Sequence, residues 1–160
     1  MAVIAKYCPD IKINVVDINK ERIELWNDLD LNKLPIFEPG LSEIINFVRG
    51  KNLTFTTDLA QSIKEADMIF ISVNTPIKKT GIGAGQTSDL RWVEACARQI
   101  SDIAIGHTIV VEKSTLPVRT AKTIKEILFA SKDNFKKEKS FSVLSNPEFL
   151  SEGTAINDLK

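Results

Sequence analysis

Two carboxylates stand four residues apart in a segment that follows a short apolar stretch. The segment runs from Ser145 to Ala155, with Glu148 and Glu152 as its acids, and the apolar stretch covers residues 141–144. An Asn-Pro pair and a glycine interrupt it, which favours a loop at the end of a strand. Open α/β sheets bind their ligands at such strand ends. The two acids are therefore candidates for general acid–base chemistry or for orienting water, with capping of the next helix as the alternative.

A third acid, Asp17, ends a stretch rich in β-branched residues, Ile11–Ile18. In a dinucleotide-binding sheet, an acid at the end of the second strand accepts hydrogen bonds from the adenosine ribose. A lone Asp at a strand end is also a common turn former. Arg22 lies one turn into the following helix, where it either reaches the same ribose or a phosphate or is a solvated residue of the helix surface.

Two further polar segments leave apolar runs in the same way. Asn74 and Thr75 follow the run 68–73 and precede a proline, so they either contact a nicotinamide ribose or form a turn. Thr115 follows the run 108–111 and stands two residues before a proline, as a helix cap would. Capping does not exclude a contact with a ligand.

Apolar periodicity places these residues on a regular series of elements. Strands are predicted at residues 11–18, 53–56, 68–73, 108–111 and 141–144. Helices are predicted at residues 19–26, 41–49, 57–66, 88–104 and 117–130, with Thr57 and either Ser88 or Asp89 as caps. Strands that alternate with helices predict an α/β fold with a doubly wound parallel sheet.

Composition limits the function classes. The chain has 160 residues, 43% of them hydrophobic, and 21 basic residues balance 21 acidic ones, so no net charge favours nucleic acid or a membrane surface. No apolar run is long enough to cross a membrane, and cytoplasm is the expected compartment. Cys8 and Cys96 have no CxxC spacing and no nearby His, so neither a metal site nor a disulfide framework is expected. Cys96 is predicted to be a core thiol rather than a nucleophile.

A glycine-rich phosphate loop is absent from the expected place. Such a loop follows the first strand of a dinucleotide-binding sheet, but only residues 1–10 precede the strand that ends at Asp17. The run from Gly81 to Gln86 is a poor substitute, because its sixth position is Gln and it begins eight residues after Val73. We interpret that run as a surface loop.

Five segments together resemble the UDP-glucose/GDP-mannose dehydrogenase family. They are VVDINKERI (15–23), LPIFEPGL (34–41), ADMIFISVNTP (66–76), VEKSTLPVRTA (111–121) and SNPEFLSEGTA (145–155). The resemblance implies a Rossmann-like NAD-binding domain. It also implies oxidation of UDP-glucose to UDP-glucuronate with two NAD, through a thioester on a cysteine.

Roles follow by position from the resemblance alone. Asp17 and Arg22 would contact the adenosine ribose of NAD. The rest of the cofactor would be lined by Val73, Asn74, Thr75, Pro76, Ile77, Ser114, Thr115, Leu116 and Glu152. The sugar nucleotide would be bordered by Glu148, Phe149, Leu150, Ser151 and Glu152. Thr115 and Glu148 would be the catalytic pair, holding the water that hydrolyses the thioester.

The 160 residues also depart from the family pattern. They contain no match to the nucleophilic cysteine, to the central helical domain or to the UDP-binding domain, and they lack the first, central strand. We therefore expect a partial NAD-binding domain, truncated at both ends, with weak NAD binding and no turnover of its own. The full-length enzyme is expected to be a homo-oligomer. The alternatives are a sister dehydrogenase for GDP-mannose or a UDP-N-acetyl sugar, and a non-catalytic nucleotide-binding or regulatory fragment.

Overall fold

The chain forms two compact units, each with its own parallel sheet. The computed structural model describes residues 1–77, 80, 88–114, 120–130 and 139–159. One unit comprises Met1–Ser62 and Phe149–Lys160, and the other comprises Ile63–Glu148. The glycine-rich run at 81–86 and the proline-led start of the helix predicted at 117 lie outside the described residues.

The first unit is built around a pair of parallel strands. Its elements are α1 (Ala2–Tyr7), β1 (Ile13–Val16), α2 (Lys20–Asn27), a 3-10 turn (Leu31–Lys33), α3 (Leu41–Val48), β2 (Leu53–Thr56), the start of α4 (Leu59–Glu65) and α7 (Ala155–Asp158). β1 and β2 pair in parallel from Ile13 opposite Leu53 to Val16 opposite Thr56. The predicted bounds of β2 are confirmed, whereas β1 is shorter than predicted at both ends.

The core of the first unit follows from the apolar spacing of α3. Leu41, Ile44, Ile45 and Val48 recur at helical spacing, and all four are buried. They pack in one cluster with Leu53 of β2 and Ile156 of α7. The rings of Trp26 and Phe55 stack in parallel, with centroids 4.8 Å apart. Each fully buried aliphatic side chain contributes about 1.5–3 kcal/mol to folding, so this cluster holds the helices on the strand pair.

The second unit contains three parallel strands in the order β3-β4-β5. Its elements are β3 (Met68–Ile71), α5 (Arg91–Ile103), β4 (His107–Glu112), α6 (Thr120–Ala130) and β5 (Ser140–Ser145). The register aligns Ile71 with Glu112, and Glu112 with Ser145, so the strands end together. The predicted α/β class with parallel strands is confirmed. Among the described residues, β1 pairs only with β2, and β3 pairs only with β4.

Helices α5 and α6 contact each other in the second unit, and α6 contacts β5. Helical spacing predicts one apolar stripe on α5, formed by Val93, Cys96, Ala97, Ile100 and Ala104. All of these residues are buried except Cys96, which is half-buried. Ser101 Oγ donates to the carbonyl of Leu128 at 3.1 Å, which joins the two helices by a buried hydrogen bond.

Two predicted helix caps are wrong in detail. Asp58, not Thr57, caps α4, because its Oδ1 accepts the N–H of Gln61 at 3.0 Å. α5 begins at Arg91, and its cap residue Leu90 offers no side-chain acceptor. The Asp89 carboxylate instead binds the N–H and the guanidinium of Arg91. At α4 the competing residue is an adjacent Asp, whose short carboxylate reaches a backbone donor three residues on. At α5 the predicted Asp89 lies one residue before the cap position and still accepts the N–H of Arg91.

Asn52 is expected to be the polar residue on which the first unit depends most. Its Nδ2 donates to the carbonyls of Ala5, Cys8 and Ile11 at 2.9, 3.3 and 3.2 Å. Two of these lie at the end of α1, where carbonyls lack helical partners. Asn52→Ala should lower the free energy of unfolding by about 1–3 kcal/mol in urea denaturation. Asn32→Ala is the matched control, and an equal loss there would contradict this role.

Candidate functional site

Asp17 stands directly after β1, in a fixed orientation. Its own N–H donates to the carbonyl of Thr56 at 3.3 Å, which continues the ladder of β1 and β2 by one residue. Its Oδ1 accepts the N–H of Asn19 at 2.8 Å, and its Oδ2 accepts Nη1 of Arg22 at 3.1 Å. The turn and the ion pair therefore hold the carboxylate at the carboxyl end of the strand, with its side chain 26% exposed.

Arg22 is brought to Asp17 by the cap of α2. The side chain of Asn19 accepts the N–H of Arg22 at 3.0 Å, as predicted for the start of this helix. The guanidinium is more than half exposed and pairs with Asp17, so it is not simply a solvated residue of the helix surface. The pair combines an acceptor for ribose hydroxyls with a cation suited to phosphate.

The segment after β3 is held by hydrogen bonds on both sides. Ser114 Oγ donates to the carbonyl of Val73 at 2.9 Å, so two of the predicted cofactor residues are brought together. Further along, the N–H of Asp89 donates to the carbonyl of Pro76 at 2.7 Å.

The predicted residues Asn74 and Ile77 are exposed, and Thr75 between them is half-buried. These side chains follow the carboxyl end of β3. Thr115 and Leu116 lie outside the described residues.

Glu112 at the end of β4 fixes the start of the acidic segment. It is 4% exposed, and its Oε2 accepts the hydroxyl of Ser145 at 2.9 Å. Its carbonyl accepts the N–H of Asn146 at 2.9 Å, and Lys113 Nζ donates to the Asn146 side chain at 3.3 Å. No role for Glu112 follows from sequence reasoning. The only signal is an acid at the end of an apolar run.

The remainder of the acidic segment is bound by two other carboxylates. Asp158 Oδ2 accepts the hydroxyl of Thr154 at 3.0 Å and the N–H of Ser151 at 3.4 Å. Glu38 Oε2 accepts the N–H of Gly153 at 2.8 Å across 115 residues of sequence. Sequence reasoning also missed Glu38, although it lies in the quoted segment LPIFEPGL.

The side chains predicted to meet the substrate are mostly exposed. Glu148, Ser151 and Glu152 are exposed, and Leu150 is half-buried. Phe149 is 83% exposed, which is unusual for an aromatic side chain and leaves its ring available for contact with a ligand. Glu148 is the last residue of one compact unit, and Phe149 begins the second part of the other.

The two cysteines do not have the surroundings of a nucleophile. Both are free thiols. Burial raises the pKa of the Cys96 thiol above its ordinary value, so it stays protonated at neutral pH and reacts slowly. Cys8 directly follows α1 and is its C-cap residue. Within the described ranges, no helix is both long and apolar enough to cross a bilayer.

Parallel strands with an anchored acid after β1 are the features of a dinucleotide-binding α/β domain. The model of the "UDP-glucose/GDP-mannose dehydrogenase family, NAD binding domain" matches residues 1–160. UDP-glucose 6-dehydrogenase 4 of Arabidopsis thaliana is 54% identical over 99% of this chain and 32% of its own length. UDP-glucose 6-dehydrogenase of Bos taurus is also 54% identical, over 99% of this chain and 31% of its own length.

Solved structures agree with this comparison. GDP-mannose dehydrogenase from Pseudomonas aeruginosa superposes with a TM-score of 0.79 at 30% identity, over 99% of this chain and 36% of that one. A UDP-glucose dehydrogenase from Pyrobaculum islandicum gives 0.76 at 29% identity, over 99% of this chain and 35% of that one. The chain belongs to the UDP-glucose/GDP-mannose dehydrogenase family and corresponds to its NAD-binding domain. It spans about a third of the length of the curated relatives.

The arrangement at the end of β1 fits NAD. A carboxylate has about four acceptor positions, and Asp17 uses two of them for Asn19 and Arg22. The remaining positions match a pair of ribose hydroxyls. A negative charge at this place would also disfavour a phosphate on a ribose bound there, which is typical of NAD rather than NADP selectivity.

Asp17→Asn should lower the affinity for NAD by about tenfold or more, because hydrogen bonds to a charged acceptor contribute roughly 1.5–3 kcal/mol. It should also narrow the preference for NAD over NADP, because the repulsion of a ribose phosphate is removed. NMR titration with each cofactor measures both effects. Glu21→Gln makes the same change of charge on the exposed surface of α2 and is the control. Unchanged NAD affinity in Asp17→Asn would rule out the ribose contact.

Proposed function

We propose that this chain is the cofactor-binding part of an NAD-dependent UDP-glucose 6-dehydrogenase, which oxidises UDP-glucose to UDP-glucuronate. The observation that carries this proposal is the 54% identity to two UDP-glucose 6-dehydrogenases over 99% of the chain. The solved structures do not separate the two substrates, since identity is 30% to the GDP-mannose dehydrogenase and 29% to the UDP-glucose dehydrogenase. The anchored carboxylate of Asp17 and the exposed ring of Phe149 also support the proposal.

On the cofactor side, Asp17 accepts hydrogen bonds from the adenosine ribose and Arg22 balances its charge. The rest of the cofactor is lined by the segment Val73–Ile77 and by Ser114, Thr115, Leu116 and Glu152. Bound NAD supplies a hydride acceptor for the carbon that is oxidised. The hydrogen bonds from Ser114 to Val73 and from Asp89 to Pro76 support this role, since they fix the backbone of the lining segment.

On the substrate side, the residues from Glu148 to Glu152 border the sugar nucleotide, with the exposed ring of Phe149 among them. Thr115 and Glu148 hold the water that hydrolyses a cysteine thioester in the second oxidation step. The nucleophile of that step is neither Cys96, whose thiol is protonated, nor the helix-capping Cys8. The 160 residues therefore contribute water positioning to a covalent step whose nucleophile they do not supply.

The second candidate is a sister dehydrogenase that acts on GDP-mannose or on a UDP-N-acetyl sugar. Its support is the TM-score of 0.79 to the Pseudomonas aeruginosa GDP-mannose dehydrogenase. We propose a cytoplasmic enzyme, and the free thiols of Cys8 and Cys96 are compatible with a reducing compartment. We also expect the full-length enzyme to be a homo-oligomer that binds neither nucleic acid nor a membrane.

The full-length protein that contains these residues should form two NADH for each UDP-glucuronate, because oxidation of an alcohol to a carboxylate removes four electrons. NADH absorbance and mass spectrometry of the sugar nucleotide measure the ratio. Faster oxidation of GDP-mannose or of UDP-N-acetylglucosamine would instead establish the sister activity. No oxidation of any of the three would favour a non-catalytic nucleotide-binding role.

The 160-residue polypeptide alone should give no turnover, because burial raises the pKa of the Cys96 thiol whereas the covalent step requires a thiolate. The measurement is UDP-glucuronate by mass spectrometry after incubation with NAD and UDP-glucose. A Cys8→Ser, Cys96→Ser double variant is the control for trace activity. Product formed by the unmodified chain and lost in the double variant would contradict this assignment.

A further inference from the structure

Glu38 makes one long-range contact that the proposed chemistry does not use. It lies in the turn before α3, and its Oε2 accepts the N–H of Gly153 at 2.8 Å. Both residues belong to the same compact unit. The contact fixes the backbone immediately after Glu152, one of the two acids of the segment 145–155.

The other oxygen of Glu38 is enclosed. Oε1 is covered from solvent and has no hydrogen-bond partner among the described residues. A covered carboxylate oxygen without a donor destabilises the fold, because its lost hydration is not replaced. A carboxylate in this position is therefore a poor choice for stability alone, and its contact with Gly153 calls for a functional explanation.

Gly153, the donor of this hydrogen bond, has a backbone conformation that other residues rarely adopt. Its φ is +85°, in the left-handed region that favours glycine. Asp158 binds Thr154 and Ser151 on either side of it, but Asp158 lies in the helix that this segment leads into. Glu38 is the acceptor that ties the turn to a distant part of the unit, and so it sets where Glu152 stands.

We propose that Glu38 is a positioning residue, which holds the loop Phe149–Gly153 in its ligand-binding conformation through the N–H of Gly153. The role of that loop rests on the proposed function. Glu38 acts without touching the ligand, because its second oxygen is covered. What the position requires is an acceptor at the reach of a Glu side chain, rather than a negative charge.

Two substitutions distinguish the length of the Glu38 side chain from its negative charge. Glu38→Gln keeps an oxygen at the same distance and removes the charge. Glu38→Asp keeps the charge and shortens the side chain by one methylene. Glu24→Ala, on the exposed surface of α2, is the control. The readouts, both in the full-length protein that contains these residues, are hydrogen exchange of the Gly153 amide and the protection of residues 149–153 from exchange on addition of UDP-glucose.

Glu38→Asp should speed exchange at Gly153 by about tenfold and weaken the response to UDP-glucose, while Glu38→Gln stays within about threefold of the unmodified chain. If Glu38 acted only through its charge, Glu38→Gln would instead speed exchange at Gly153. Unchanged exchange in Glu38→Asp overturns the proposal, as does equal loss of thermal stability in both variants. If exchange responds as expected but UDP-glucose gives no protection of residues 149–153 in the unmodified full-length protein, the anchor stands and the proposed function fails.

Discussion

The parallel pairing of the strands is the constraint on which the candidate site depends. In a parallel ladder the strands of a sheet run the same way, so their carboxyl ends meet at one edge. The register brings Ile71, Glu112 and Ser145 level across the second sheet. Polar residues that directly follow the strands of one sheet therefore lie at the same edge of that sheet. In the first sheet the same rule puts Asp17 beside the end of β2, where its N–H meets the carbonyl of Thr56.

Carboxylates act here mainly as acceptors for hydroxyl and N–H groups of the segment 145–155. Glu112 fixes the first residues of the acidic segment, Asp158 fixes its end, and Glu38 fixes Gly153 between them. Charge-assisted hydrogen bonds of this kind are stronger than neutral ones, so a few of them hold a loop that has little apolar surface to bury. The exposed Phe149 and Glu152 are carried by that scaffold and contribute little to it.

Sequence patterns predicted the features that depend on neighbouring residues alone. The bounds of β2, the cap at Asn19 and the buried stripe of α5 follow from β-branching, capping chemistry and helical spacing. The cap at Asp58 was mispredicted, because neighbouring Thr and Asp compete for the same role and only the backbone path selects one. The contact of Glu38 with Gly153 joins residues 115 apart, and no local pattern encodes such a pair. The same holds for Asn52 and the carbonyls near α1.

The same chemical group has different consequences at Asp17 and at Glu38, and accessibility accounts for the difference. Asp17 binds Asn19 and Arg22, yet its side chain is 26% exposed, so free acceptor positions can meet ribose hydroxyls while the turn stays intact. Glu38 has one oxygen on Gly153 and the other enclosed. A ligand could reach that second oxygen only if the surrounding residues moved. A carboxylate of the first kind recognises a ligand directly, whereas one of the second kind acts through the loop it holds.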